Sequence, residues 1–270
     1  MPNIENSDLL WKLHSCLLDI LDEIDRICRK HDIQYFLDSG TALGAIRHAG
    51  FIPWDDDADV GMLRNEYERF IQIAKDELSP RFFLQTRETD AEYSKFSAKI
   101  RINDTFFPER RNEGTKVHQG IFVDVFPFDY ISDNVKIAKK EIYKTRKMYM
   151  LWGIRHRHPC NESVWRKIIR KVFLIIPENL IEETINRHFK KYTEKPTNTL
   201  VSYTYKMNSY MILLFKRADM FPSCDVLFEG HKYEIMNNWD AYLKTMYGNY
   251  MELPPKDKQV WHFEGEIRFE

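Results

Sequence analysis

The residues best suited to do chemistry lie in one window, residues 37–62, which reads LDSGTALGAIRHAGFIPWDDDADVGM. Near its end Asp55, Asp57 and Asp59 occupy every second position. Alternate residues of a strand point to one face, so this spacing predicts three carboxylates side by side at a strand end. Uncompensated, such a set is repulsive and raises at least one pKa. A hard divalent cation relieves the repulsion, and Mg²⁺ takes one or two carboxylates together with substrate phosphate oxygens. Asp57 and Asp59 are the expected ligand pair. Asp55 is expected as a further ligand, as an acceptor behind the ligands, or as a cap. Upstream, Ser39, Gly40 and Thr41 read as a small-residue turn between a strand-like run, 34–37, and a helix-like run, 42–48. A helix opening there points N–H groups and its dipole at a phosphate. A phosphate cradle followed by a metal-binding strand is the pattern of phosphoryl or nucleotidyl transfer.

Asp124 is a lone charge in the otherwise apolar run GIFVDVF, 120–126. A charge in such a place is paired or functional. It either forms an ion pair with Lys99 or Arg101, or supplies a third carboxylate on a strand next to the first two, where it would hold a metal or accept a proton. Lys99 and Arg101 alternate on their own strand, where they would neutralise phosphate or balance the interior carboxylates. Arg47, just before Gly50, either meets phosphate oxygens or complements a helix C-terminus. Tyr149, Trp152, Tyr203, Tyr205 and Trp261 could contribute to an aromatic cage for a quaternary ammonium group, though 38 aromatics, 18 Phe, 14 Tyr and 6 Trp, supply such candidates by chance.

The elements that must position these groups follow from periodicity. Leu13, Leu17, Leu21, Ile24 and Ile27 recur at helical spacing, predicting a first helix capped at Asn6 or Ser7 and ending near His31. A second helix is expected over 64–78, strands over 82–85, 95–102 and 120–126, and a hairpin over 228–236 turning at Gly230. Beyond Pro127 the pattern turns helical, over 136–152, 163–176, 177–192 and 238–247, and the tail reads as irregular. The expected organisation is an αβ catalytic core over 1–130 and a mainly helical region over 131–270, packed together without a linker. The net charge of -1 hides an uneven distribution: residues 134–195 carry 16 Lys and Arg against 6 Asp and Glu. Within that basic segment, VWRKIIRKVFLII (164–176) reads either as a core helix with a charged outer face or as an interfacial helix drawn to anionic lipid. The four cysteines, Cys16, Cys28, Cys160 and Cys224, form no C-x-x-C pair, so neither a structural zinc nor a disulfide framework is expected. No signal peptide or membrane-spanning run is read. A cytoplasmic protein is expected, able to sit peripherally on the inner face of the membrane.

The window SGTALGAIRHAGFIPWDDDADVGM resembles the signature of the LicD family of choline-phosphate transferases, which also includes fukutin-related proteins. HQGIFVDVFPFDY, FEGHKYEI and YLKTMYGNYMELPP agree further along the chain, in the same order. Ala42 stands where family members commonly carry a bulkier apolar residue, and Ala58 where a β-branched one is usual. The resemblance implies an α+β fold with a polymerase-beta-like nucleotidyltransferase core, a mixed sheet flanked by helices. It implies Mg²⁺, or Mn²⁺ in its place, on Asp57, Asp59 and Asp124. It also implies CDP-choline as donor and a hydroxyl of a bacterial surface glycan precursor (teichoic acid, lipopolysaccharide or capsule) as acceptor, with CMP released. Rival expectations keep the fold but move glycerol phosphate, ribitol phosphate or phosphoethanolamine, or make the protein a catalytically silent nucleotide-binding scaffold. No nucleic-acid partner is expected.

Overall fold

The computed structural model describes residues 4–109, 112, 114–156, 171, 174–205, 212–259, 261 and 265–269. The helical spacing of the leading apolar residues produces one long helix, α1 (Ile4–Lys30), which buries Leu13, Leu17, Ile20, Leu21, Ile24 and Ile27. It starts at Ile4, ahead of the expected cap at Asn6 or Ser7. The chain continues through β1 (Phe36–Leu37), α2 (Ser39–His48), β2 (Asp59–Leu63), α3 (Arg64–Glu77), β3 (Phe82–Gln85), β4 (Ala98–Ile102), β5 (Thr105–Phe106) and β6 (Phe122–Ile131). After β6 come α4 (Val135–His156), α5 (Glu178–Phe189), β7 (Thr199–Val201), β8 (Phe215–Lys216), α6 (Arg217–Met220), β9 (Cys224–Phe228), β10 (His231–Ile235), α7 (Trp239–Tyr247) and β11 (Arg268–Phe269).

A mixed sheet in the order β1-β2-β6-β4-β3 forms the centre, with β7 added to β6 and β8 to β7. Only the β2–β6 pair is parallel among its described ladders. The strand expected to end at 126 runs on to Ile131, straight through Pro127. Proline lacks a ladder donor, and its place in the sheet shows why it is tolerated. β4 pairs residues 122–125 of β6 and β7 pairs 129–131, so Pro127 falls in the gap between these two neighbours. Strands from beyond residue 130 thus join the sheet built by the first 130.

Among the described residues, buried apolar side chains form two clusters. The larger lies between the sheet, α1, α2, α3 and α7. The smaller gathers Phe96, Ile131, Ile142, Trp152, Phe189 and Tyr203 under α4 and α5. Trp152 and Tyr203, offered above as cage residues, are therefore core side chains. Between the clusters, Arg64 grips Asp129 through two bonds of 2.8 Å, both side chains almost fully enclosed. Such a fork aligns two N–H donors with two carboxylate oxygens and fixes the start of α3 against β6. The hairpin β9–β10 turns at Glu229 and Gly230 as expected. The tail departs from expectation: β11 pairs antiparallel with β5, giving the end of the chain a regular backbone partner. Arg166, Lys167 and Arg170 of the expected basic helix lie outside the described residues. No described helix is long and apolar enough to cross a membrane.

Candidate carboxylate site

Only Asp59 of the three alternating carboxylates lies on a strand, as the first residue of β2. Asp55 and Asp57 belong to a loop that turns where the Asp55 N–H donates to the Ile52 carbonyl at 2.9 Å. The expected shared strand face is corrected accordingly. In a loop, consecutive side chains need not alternate, and oxygens of Asp55, Asp56 and Asp57 all approach within 4.8 Å of one another. Asp56, which alternation passes over, is buried. Burial, then the charges of Asp57 and Asp56, pushes the Asp55 carboxyl up to about 8.

Asp59 and Asp124 are partners in the parallel ladder of β2 and β6. Neighbouring strands lie about 4.8 Å apart, so this register sets two carboxylates side by side. Burial raises the Asp59 carboxyl well above the usual range, and the charges of Asp57, Asp124 and Asp38 add to the shift. Asp124 has both neighbours that the sequence offered it. Its Oδ2 accepts from Lys99 Nζ at 2.8 Å across the β4–β6 ladder, while its Oδ1 is buried with no hydrogen-bond partner. Burial lowers the Lys99 ammonium to about 7, against the opposing pull of Asp124. Lys99 and Arg101 are wholly enclosed. Arg101 is spent on Gln85 at 2.6 Å, the Gly120 carbonyl at 2.5 Å and Glu109 at 2.7 Å. Both cations thus meet interior carboxylates, Lys99 at Asp124 and Arg101 at Glu109. Arg47 donates to the Tyr250 carbonyl at 2.8 Å, which ties the end of α2 to the chain beyond α7.

The expected turn at Ser39, Gly40 and Thr41 is already the first turn of α2, because Asp38 caps the helix through the Ser39 N–H at 2.8 Å. Ser39 itself is left-handed, with φ 47°. Asp38 is fully buried, accepts from Tyr205 Oη at 2.6 Å and from Tyr242 Oη, and is raised by burial to about 6. An aspartate at the junction of an apolar strand and small residues is an N-cap signal, and that signal could have marked Asp38. Gly40 lies against Asp55: a Cβ there would sit 2.6 Å from Asp55 Oδ2. Thr41 Oγ1 accepts from the Asp59 N–H at 2.9 Å, and so locks α2 to the start of β2.

Two remote elements brace the loop. His14 of α1 stacks on Phe51 with ring centroids 4.0 Å apart, and its Nε2 meets the Asp55 carbonyl at 2.8 Å. Glu229, at the hairpin tip, accepts from the Phe51 N–H at 2.9 Å. Tyr247, at the end of α7, is partly open to solvent. Its hydroxyl is raised by burial and then by the charges of Asp38, Asp59, Asp55 and Asp57. Tyr205, offered above as a cage residue, instead donates to Asp38, and Tyr242 and Tyr247 belong to the YLKTMYGNYMELPP stretch, which assigned them no role at this site.

Residues 32–162 match the family described as LicD/FKTN/FKRP, nucleotidyltransferase domain. The lipopolysaccharide cholinephosphotransferase LicD of Haemophilus influenzae is 30% identical over 257 residues, covering 91% of this chain and 92% of that protein. Uncharacterized proteins of Rickettsia typhi and Rickettsia prowazekii are 40% and 39% identical over 57 residues, each covering 21% of this chain and 18% and 21% of their own lengths. The likeness to the Haemophilus protein covers 91% of the chain, and the carboxylate site falls inside the domain match: this chain belongs to the LicD family.

Proposed function

We propose that the protein transfers phosphocholine from CDP-choline to a hydroxyl of a lipid-linked surface glycan precursor of the lipopolysaccharide type, releasing CMP, on a polymerase-beta-like nucleotidyltransferase core. The observation that carries this reading is the Asp59–Asp124 register with a buried, unpartnered Asp124 Oδ1, set beside the Asp55–Asp57 loop. The activity named for the Haemophilus relative supports the choice of transferred group. The donor set is all carboxylate oxygen, which suits a hard divalent cation, and Asp55, Asp57 and Asp59 would hold Mg²⁺, leaving Asp124 Oδ1 to take a proton. When bound, such an ion neutralises carboxylate and diphosphate charge together.

The chain's own groups then orient and move charge. The Gly40 and Thr41 N–H groups, in the first turn of α2 where no helical acceptor exists, cradle the departing phosphate. The acceptor oxygen attacks the choline-bearing phosphorus. The bond from that phosphorus to the bridging oxygen breaks, and CMP leaves with the electron pair. The acceptor's proton passes to Asp124 Oδ1, whose other oxygen is steadied by Lys99.

The test measures CMP release from a panel of CDP-choline, CDP-ethanolamine, CDP-glycerol and CDP-ribitol, with acceptor and Mg²⁺. CDP-choline is expected to be turned over fastest. Asp57→Asn and Asp59→Asn are each expected to lose about 10²-fold or more in rate while still folding. Near-normal turnover by either variant would refute these roles. Preference for another CDP-alcohol would move the reading to that group.

A further inference from the structure

The helix α4 presents two stripes of opposite character. Ala138, Glu141, Ile142, Thr145 and Trp152 recur at helical spacing and are buried. On the opposite side the same spacing (0, 3, 4, 7, 11, 14) selects Lys136, Lys139, Lys140, Tyr143, Lys147 and Met150, all exposed. None of these four ammonium groups has an ion-pair partner among the described residues. Unpaired like charges along one helix face repel, and they lower that cost by meeting an anionic surface. The chain returns to the end of α4 at Ile176, whose carbonyl accepts from Arg155 at 2.9 Å. This returning segment exposes Leu174, Ile175 and Ile176, with Ile175 81% open.

We infer that the outward face of α4, together with residues 174–176, docks on the anionic headgroups of a phospholipid bilayer. Charge complementarity selects an anionic partner, and the exposed aliphatic side chains select a lipid surface over nucleic acid. Leucine and isoleucine gain burial at the headgroup–acyl boundary, whereas a phosphate backbone offers them nothing. The face belongs to α4, the element that follows β6: the strand ends seven residues beyond Asp124, about 23 Å along its length, and α4 begins four residues later. Membrane contact and chemistry can thus proceed together. This inference deepens the reading above, and for its purpose rests on it, since a lipid-linked acceptor brings its hydroxyl to the enzyme at a membrane.

The experiment is flotation of the full chain with vesicles of equal parts phosphatidylglycerol and phosphatidylcholine at about 0.1 M salt. Co-flotation is expected, with none on pure phosphatidylcholine vesicles. Each lysine contributes about fivefold to partitioning, so the triple variant Lys136→Glu, Lys140→Glu, Lys147→Glu is expected to lose about a hundredfold or more. Its thermal melt and its CMP release with a soluble acceptor should match the wild type. Ile175→Asp, a single exposed change, is expected to weaken flotation on its own and serves as the test should the triple variant fold poorly. Absence of wild-type flotation, or flotation undiminished in both variants, overturns the inference, as does retention on duplex DNA in place of vesicles. CMP release is scored separately: flotation without turnover sinks the proposed reaction and leaves the surface standing, while turnover without flotation does the reverse.

Discussion

Gly40 and Gly44 lie one turn apart on α2, and adding a methyl group to each should break different things. At Gly40 the new Cβ would stand 2.6 Å from Asp55 Oδ2, a movable side-chain atom. Carbon needs about 3.5 Å, so the carboxylate must retreat by about 0.9 Å. A misplacement of about 1 Å in a reacting constellation costs on the order of 10²-fold in rate. The fold should not suffer, because alanine is favoured over glycine within a helix by about 0.5–1 kcal/mol. At Gly44 the Cβ would stand 2.4 Å from the Gly50 carbonyl oxygen, which is backbone and cannot turn aside. Forcing that contact is expected to cost about 1–3 kcal/mol. The assay pairs CMP release with a urea melt on both variants. Gly40→Ala should lose about two orders of magnitude in kcat/KM at unchanged midpoint, and Gly44→Ala should lower the midpoint. If Gly40→Ala works at wild-type rate, the position of the Asp55 carboxylate does not matter to the chemistry and the argument for its role fails.

Two other predictions concern buried charge. Asp38 is raised by burial to about 6, so between pH 4 and 6 the folded state binds more protons than the unfolded chain. Its contribution is therefore greatest below its unfolded value and declines as pH rises through 6, by on the order of 3 kcal/mol. Asp38→Asn, which keeps an acceptor for Tyr205 and Tyr242, should remove this decline from chemical-denaturation curves across that window; an unchanged pH slope would refute it. Removing Arg64 from its enclosed pair with Asp129 leaves a buried carboxylate alone, so Arg64→Met is expected to destabilise by about 3–5 kcal/mol in a denaturant melt. A loss under about 1 kcal/mol would mean the pair is not the clamp between the clusters.

Much of this arrangement is legible in the chain. The spacing of Leu13, Leu17, Leu21 and Ile24 specifies α1, and a lone aspartate in an apolar strand singles out Asp124 beside Lys99. What the chain conceals is non-local or depends on a break in periodicity. Alternation places Asp55, Asp57 and Asp59 on a strand, but the turn after Ile52 holds the first two in a loop, and this brings Asp56 into the cluster. Tyr205 and Tyr242 meet Asp38 from 167 and 204 residues away, a distance that no local pattern bridges. Arg64 and Asp129, 65 residues apart, are equally silent until strand order is known.

The division of labour around Asp38 and the Asp55 loop has a consequence for how this family can be dissected. The aspartates of the site all precede residue 125, yet the hydroxyls of Tyr205 and Tyr242, the tip carboxylate of Glu229 and the backbone gripped by Arg47 come from beyond residue 200. The early half brings the reactivity and the late half keeps it in place. A chimera that exchanges the acidic half between relatives therefore has to import the matching tyrosines and hairpin tip, because a grafted reactive half without its own clasp would inherit every ligand and lose their alignment.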